Sequence, residues 1–147
     1  MSKLYRLFVV ILFAGALLAA CSSQSAATLP PVTNPYAPQP GDEKMMRGDP
    51  EIVSASVLMT ESLPHQVSVS LAYRLSTPCY QLRVSINPPD SQNHIQMAIY
   101  SVAPKDKPCN LMALQTPMES GINLGSFPTG HYSVWVNGQQ VGEFDAQ

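Results

Sequence analysis

Apolar and polar residues alternate along most of the chain after Pro50, which is the pattern of β-strands that bury one face. The clearest segment, 66–75, places on one face the residues Val67, Val69, Leu71, Tyr73 and Leu75. The same alternation predicts inward rows at Val53, Ala55, Val57 and Met59; at Tyr80, Leu82, Val84 and Ile86; and at Ile95, Met97 and Ile99. Each segment is therefore expected to contribute one row of side chains to a shared core.

Turn residues divide these strands at short intervals. The run 87–93 contains prolines, Asn and Asp, which remove ladder donors and favour turns. Asn137-Gly138, between two alternating runs, predicts a two-residue β-hairpin. Segment 111–120 fits either an edge strand or one helical turn. About seven short strands with this spacing predict an all-β fold, an antiparallel β-sandwich.

The first twenty residues have a different pattern. Lys3 and Arg6 precede the uncharged apolar run 7–20, which ends in the small residues Ala19 and Ala20. A transmembrane helix needs about 20 apolar residues, so this run is short for a span. A basic flank, an apolar run and a small-residue end together predict a cleaved export signal over residues 1–20.

Leu18-Ala19-Ala20-Cys21 resembles the lipobox of bacterial lipoproteins. The resemblance implies that diacylglycerol is attached to the Cys21 thiol and that the chain is cut just before this residue. Two or three fatty acyl chains, such as palmitate, anchor a protein stably where one does not. Because serine and not aspartate follows, the resemblance also implies the outer membrane in a two-membraned bacterium, and otherwise the outer face of the plasma membrane. The alternative is an ordinary signal peptide with a chance cysteine.

Residues 21–50 lack the alternation seen later in the chain. Six prolines and several small polar residues leave little from which to build a core. The composition predicts a disordered Pro-rich tether over 21–50, which separates the lipid from a sandwich domain at 51–147. The alternative is that the end of the segment, near Met45 and Met46, packs on the domain as an irregular edge.

Gly130-His131-Tyr132-Ser133-Val134 resembles the G-x-Y-x-C pattern of strand F in immunoglobulin domains, with valine in place of the cysteine. The resemblance implies an immunoglobulin-like sandwich in which the Tyr132 hydroxyl bonds to nearby backbone. Trp135 follows this tyrosine instead of preceding it on an earlier strand, so no binding residue is carried over. The run 117–138 is also similar to uncharacterised domains of bacterial surface lipoproteins, which supply no function to transfer.

Cys79 and Cys109 remain once Cys21 is assigned to lipid. In an oxidising compartment the two are expected to form a disulfide, and a hairpin of the strands at 80–86 and 94–102 would bring residue 79 beside about residue 102, from which the loop to Cys109 folds back. The alternative is a redox or metal-binding thiol pair, but the chain has no C-x-x-C spacing.

The motifs of common catalytic and cofactor sites are missing from the sequence. There is no G-x-S-x-G elbow, no H-E-x-x-H and no glycine-rich phosphate loop. His65, His94 and His131 lie beside predicted turns, and in an alternating strand Met97 points away from His94, which disfavours a soft-metal pair. The sequence therefore predicts a non-catalytic protein with no cofactor and no metal.

Charge excludes one class of partner. Without Lys3 and Arg6, the eight basic residues fall to six against ten acidic ones, a formal net charge of −4. No basic stripe is present for nucleic acid or for anionic lipid headgroups. Contact with the membrane is therefore expected through the lipid anchor alone.

The final hairpin offers a candidate contact surface. If Tyr132, Val134 and Val136 fill the core, the outward residues of the same run are His131, Ser133, Trp135 and Asn137. An outward tryptophan is a suitable anchor for an envelope protein or a glycan. The alternative is that the tether or a neighbouring loop covers this face.

These observations predict a membrane-anchored, extracytoplasmic lipoprotein whose sandwich binds a partner or serves as a structural contact. A second interpretation is inhibition of an extracytoplasmic protease by the loops Asn87–Asn93 and Ala103–Asn110, because a disulfide would stiffen the second loop. A third is a hydrolase whose site is assembled from distant residues, which would require a pocket holding titratable groups of shifted pKa.

Overall fold

Strands make up most of the chain that the structure describes. The computed structural model describes residues 33–61, 64–107, 109, 112 and 116–147, which lie in one unit from residue 32 to residue 147. Its strands are β1 Met46–Gly48, β2 Glu51–Met59, β3 Val67–Arg74, β4 Gln81–Ile86, β5 His94–Ala103, β6 Met118–Gly125, β7 Gly130–Val136 and β8 Gln139–Ala146. A 3₁₀ helix at Asp42–Lys44 precedes β1. Within these residues no helix is long and apolar enough to cross a membrane.

The strands form two sheets, so the predicted all-β sandwich is confirmed. The larger sheet places β4, β5, β7 and β8 side by side, with β1 on the same side of β5 as β7, and the smaller sheet has the order β2-β3-β6. Every pair is antiparallel except β5 and β7, where His94 lies opposite Ser133 and Met97 opposite Val136. This parallel pair departs from the antiparallel prediction. The passage through β6 in the smaller sheet supplies the long crossover that parallel strands require.

The core forms from the predicted inward rows. Those that are buried are Val67, Val69, Leu71, Tyr73, Leu75, Leu82, Val84, Ile95, Met97 and Ile99. Tyr80 and Ile86 pack at its margin. Each fully buried aliphatic side chain contributes about 1.5–3 kcal/mol. The hairpin at Asn137-Gly138 is also confirmed, since both residues have the positive φ angles, 49° and 83°, that a type I′ turn requires.

Strand β2 departs from simple alternation at one point. A bulge between Ile52 and Ser54 shifts the register, so that Val53 is 44% exposed instead of inward. Ala55 and Val57 pack against the core as predicted, but Met59 at the strand end is 45% exposed. Two of the four inward predictions for this strand were therefore wrong.

The segment from Asn34 to Pro50 packs on the sandwich, which corrects the prediction of a disordered tether over 21–50. The Val84 amide donates to the Tyr36 carbonyl at 2.7 Å, and the Asn34 side chain donates to the Val84 carbonyl at 2.9 Å. The Tyr36 hydroxyl lies 2.9 Å from the Ser120 hydroxyl, and its ring packs against the core. A segment too polar to build a core of its own can still supply partners to the open edge of β4.

The next part of this segment covers the outer face of β4 and β5. Asp42 accepts two hydrogen bonds from the Arg83 guanidinium, at 2.8 and 3.2 Å, and Arg83 is only 4% exposed. Strand β1 then pairs with the end of β5, and the Arg47 guanidinium lies 3.9 Å from the centre of the Tyr100 ring. We call residues 42–48 the cover. Residues 21–32, the rest of the predicted tether, lie outside the described residues, as do the signal and Cys21.

Candidate binding face on the larger sheet

The part of the larger sheet that the cover does not reach presents polar and aromatic side chains. Tyr132, Val134 and Val136 are buried as predicted, so the alternate residues of β7 face outward. Strand register places Ser133 between His94 of β5 and Glu143 of β8, and Trp135 opposite Gln140. We call the outward side chains of this region the polar face: His94, His131, Trp135, Gln140, Glu143 and Asp145.

Trp135 is held in one orientation at the centre of the polar face. Its indole N–H donates to the Ser133 hydroxyl at 2.9 Å. The His94 ring meets it edge-on, with centroids 5.9 Å apart and planes at 61°. The ring is half-buried, so part of its apolar surface is accessible to a partner while its polar atom is already satisfied.

His131 lies between two carboxylates of the neighbouring strand. Its Nδ1 is 2.8 Å from an Asp145 oxygen, and its Nε2 is 3.5 Å from a Glu143 oxygen. The hydrogen bond to Asp145 is the main reason that the pKa of His131 is raised above its usual 6.5, with further contributions from both negative charges. The Gln140 amide donates to Glu143 at 2.6 Å. The polar groups of β7 and β8 are therefore connected in one network.

The loop before β5 positions His94, the member of the polar face that lies on β5. One Asp90 oxygen accepts from the Gln92 and His94 amides, each at 2.9 Å, and the second lies 3.2 Å from Nδ1 of His94. The backbone hydrogen bond from His94 is the largest cause of the lowered pKa of Asp90. This carboxylate fixes both the loop Asn87–Asn93 and the imidazole that packs on Trp135.

A family model matches the part of the chain that contains the polar face. The model of the ORF11 beta-sandwich domain matches residues 69–146, which is more than half of the chain. The chain belongs to this family. No curated protein and no solved structure matches it. The family description names a β-sandwich, which agrees with the two packed sheets. The match to the ORF11 domain contains the whole polar face and begins after the cover.

Three of the four residues predicted as the contact surface are accessible in the ORF11 domain. His131 is exposed and Trp135 is half-buried, whereas Ser133 is only 9% exposed and its hydroxyl is used by the indole. The Asn137 side chain accepts from the Ile99 amide at 2.8 Å and donates to the Ile99 carbonyl at 3.0 Å. Asn137 is exposed, but its amide group is used to clamp the hairpin to β5.

The sequence reasoning missed four members of the polar face. The hairpin turn alone could have identified Gln140, Glu143 and Asp145, since a two-residue turn at Asn137-Gly138 places β8 beside β7. His94 reaches Trp135 only because β5 and β7 pair in parallel, and no local signal announces that pairing. Among the described side chains, His, Cys, Asp and Glu form no group of three that could hold a metal ion.

The predicted disulfide is confirmed in the ORF11 domain. Cys79 and Cys109 are bonded, with Cα atoms 6.0 Å apart, within the normal range for a disulfide. The bond joins the start of β4 to the loop that follows β5. Part of that loop, at residues 108 and 110, lies outside the described residues.

Proposed function

We propose that this protein is a lipid-anchored, extracytoplasmic lipoprotein whose β-sandwich binds an envelope partner through the polar face and catalyses no reaction. The observation that carries the binding role is Trp135, a half-buried indole held in place by Ser133 and His94 and surrounded by exposed polar side chains. A rigid aromatic ring with satisfied polar atoms loses little entropy when a partner covers it.

The anchor and location are supported by the sequence motif at 18–21 and by the disulfide. A disulfide persists in oxidising compartments, which suits export. The proposed site is the outer membrane in a two-membraned source and otherwise the outer face of the plasma membrane. The excess of carboxylates disfavours a nucleic-acid partner, since a basic surface would be needed to neutralise phosphates.

Mass spectrometry of the full-length protein from its own membranes tests the anchor. We expect a mature chain that begins at Cys21 and carries acyl chains, because the lipobox resemblance places the cut before this residue. Cys21→Ser is the matched variant and should leave the precursor uncut and without lipid. A chain with an unmodified thiol at Cys21 would remove the anchor from the proposal.

Site-specific photo-crosslinking in native membranes tests the binding face. A photoreactive residue at Gln140, on the polar face, should give a discrete adduct with protein or glycan, and the same residue at Glu119, on β6, should not. Trp135→Ala should lower the Gln140 adduct about tenfold, because central tryptophans dominate interface energies. Equal adducts from both positions, or an adduct that is unchanged by Trp135→Ala in a folded protein, would contradict the proposed face.

Inhibition of an extracytoplasmic protease is the second candidate. Its support is the loop Asn87–Asn93, which Asp90 holds in one conformation through two backbone hydrogen bonds, because a preorganised loop binds with less loss of entropy. Purified protein in excess over a panel of extracytoplasmic proteases should then slow one of them, and Asp90→Ala should abolish the effect. Full activity of every protease would remove this candidate.

A further inference from the structure

We propose that the polar face recognises a basic side chain, lysine or arginine, of an extracytoplasmic polypeptide. The cation would lie over the accessible surface of Trp135, with the carboxylates of Glu143 and Asp145 beside it. This inference rests on the proposed function and names the chemistry of the partner. The contacts between the cover and the other half of the same sheet provide the precedent for this chemistry.

The contacts of the cover show how charged and aromatic side chains pair on the outer face of this sheet, at the strand β1 and beside it. There the Arg47 guanidinium lies 3.9 Å from the centre of the Tyr100 ring, and an ion pair between Asp42 and Arg83 fixes the segment on β4. A cation on an aromatic ring and a cation paired with a carboxylate thus both occur among the contacts between the cover and the sheet. The polar face has the ring and the carboxylates, but none of its six members is a lysine or an arginine.

Charge on the polar face favours a cationic partner. Its carboxylates, Glu143 and Asp145, both pair with His131, whereas His94 pairs with Asp90 of the neighbouring loop. Two ionised carboxylates against one imidazole leave this cluster with a net negative charge even when His131 carries a proton. A negatively charged surface attracts a basic partner and repels an acidic one.

The carboxylates retain the capacity to accept more hydrogen bonds. The side chain of Glu143 is 53% exposed and that of Asp145 is 75% exposed. An ionised carboxylate has about four lone-pair sites, and each of these side chains uses only some of them within the network. An arginine or lysine can therefore bind without breaking the bonds that orient His131.

The occupant is an extended or flat polypeptide surface. The polar face lies on the pleated surface of paired strands. The cavity of about 360 Å³ beside the final hairpin is lined by residues 52–55, 136, 137 and 139–141, which include Gln140 but not Trp135. A neutral glycan would stack on the indole and could donate hydroxyl hydrogen bonds to the two carboxylates, but it carries no positive charge and would not distinguish arginine from citrulline or respond strongly to salt.

Fluorescence titration of the full-length protein tests the inference, because Trp135 is its single tryptophan and its emission reports only on this site. The probe is acetyl-Gly-Arg-Gly-Arg-Gly-amide, and its matched control replaces each arginine with neutral citrulline. A third probe is an oligomer of N-acetylglucosamine. We expect a saturable change in Trp135 emission with the arginine peptide, and an affinity for citrulline peptide lower by about tenfold.

Two variants distinguish the effect of carboxylates on the polar face from the effect of negative charge elsewhere on the sandwich. Glu143→Gln combined with Asp145→Asn should weaken the arginine peptide by about three- to tenfold. Glu119→Gln removes an exposed carboxylate from β6 on the smaller sheet and should leave the affinity unchanged. Raising the salt concentration should weaken binding to the wild-type protein, since exposed charges are screened.

The outcomes distinguish this inference from the proposed function. Equal affinity for the arginine and citrulline peptides, no saturable change, equal weakening by Glu119→Gln, or binding of the glycan alone would each overturn the recognition of a basic side chain. A Gln140 adduct in native membranes would then still support the proposed binding face. Loss of that adduct, even with peptide binding intact, would overturn the proposed face instead.

Discussion

The two halves of the outer face of the larger sheet carry similar residues in different surroundings. On one half, Arg83 and Tyr100 lie opposite each other on β4 and β5, and the cover buries Arg83 against Asp42. On the other half, His131 and Trp135 of β7 remain open to solvent beside the carboxylates of β8. Charged and aromatic side chains thus stabilise the fold on one half and form an accessible surface on the other.

This difference shows that burial, and not residue type, decides whether a charged group contributes to stability. The side chains of Arg83 and Asp42 are 5% and 10% exposed, and the hydrogen bond from Arg83 is the main reason that the pKa of Asp42 is lowered. A charge pair withdrawn from water depends on both partners, whereas exposed pairs contribute little to stability. The covered half should therefore respond strongly to mutation, and the open half should respond mainly in binding.

Loss of the disulfide should have the largest effect on the covered half, because Cys79 lies directly before β4. Cys79→Ser combined with Cys109→Ser opens a loop of sequence separation 30. The free energy of unfolding should fall by about 3–4 kcal/mol on the chain-entropy relation. Urea denaturation measures the change, and reduction of the wild-type protein is the matched control. A loss below about 1 kcal/mol would show that the strands hold this end without the bond.

Arg83→Ala should have the next largest effect, since it leaves Asp42 without its guanidinium partner. We expect the melting temperature to fall by about 5 °C or more, and trypsin to cut faster at Lys44 and Arg47 as the cover is released. The control is Arg74→Ala, whose ion pair with Glu51 has side chains 35% and 65% exposed and should cost about 2 °C or less. Equal losses from the two variants would mean that the cover adds nothing to the Arg83 pair.

Gly48→Ala tests how closely the cover approaches the sheet. A Cβ added at residue 48 would lie 2.8 Å from a Tyr80 ring carbon and 3.1 Å from the Ser101 hydroxyl, so the ring must move. The free energy of unfolding should fall by about 1–2 kcal/mol, measured by urea denaturation. At Gly121, on β6, an added Cβ meets nothing within 4 Å, and Gly121→Ala should be neutral or slightly stabilising. A neutral Gly48→Ala would show that β1 can shift without loss.

Sequence patterns predicted those parts of the fold that depend on local spacing. Alternation identified the inward rows because one buried face imposes a period of two, and Asn137-Gly138 identified the final hairpin because few residues tolerate two positive φ angles. The bulge at Val53 escaped this reasoning, since one extra residue reverses the faces before it. The disulfide was predicted because two cysteines remained in a chain that is expected to enter an oxidising compartment.

Features that depend on distant pairing were not predicted. The composition of residues 34–50 indicates that the segment has no core of its own, but not that the β4 edge would accept it. One member of the polar face, His94, also depends on distant pairing, because the parallel β5–β7 pair brings it to Trp135. Alternation alone placed Asn137 on the contact surface, and its bonds to Ile99 were not foreseen because they cross to another strand.

The open half should show the smallest effect on stability, and its sign follows from His131. Because its hydrogen bond to Asp145 raises the pKa of His131 in the folded state, the folded protein binds this proton more tightly than the unfolded chain does. The resulting stabilisation is fully present below the unfolded pKa of about 6.5 and is lost as the pH rises through the higher folded value. His131→Gln should remove this pH dependence and shift the melting temperature by no more than about 2 °C, since the groups are exposed.

Melting curves from pH 5 to pH 8.5 measure this pH dependence, with His65→Gln, at the turn before β3, as the control. A melting temperature of the wild-type protein that rises relative to His131→Gln with increasing pH would contradict the assigned sign, and a shift as large as that of Arg83→Ala would end the contrast between the two halves.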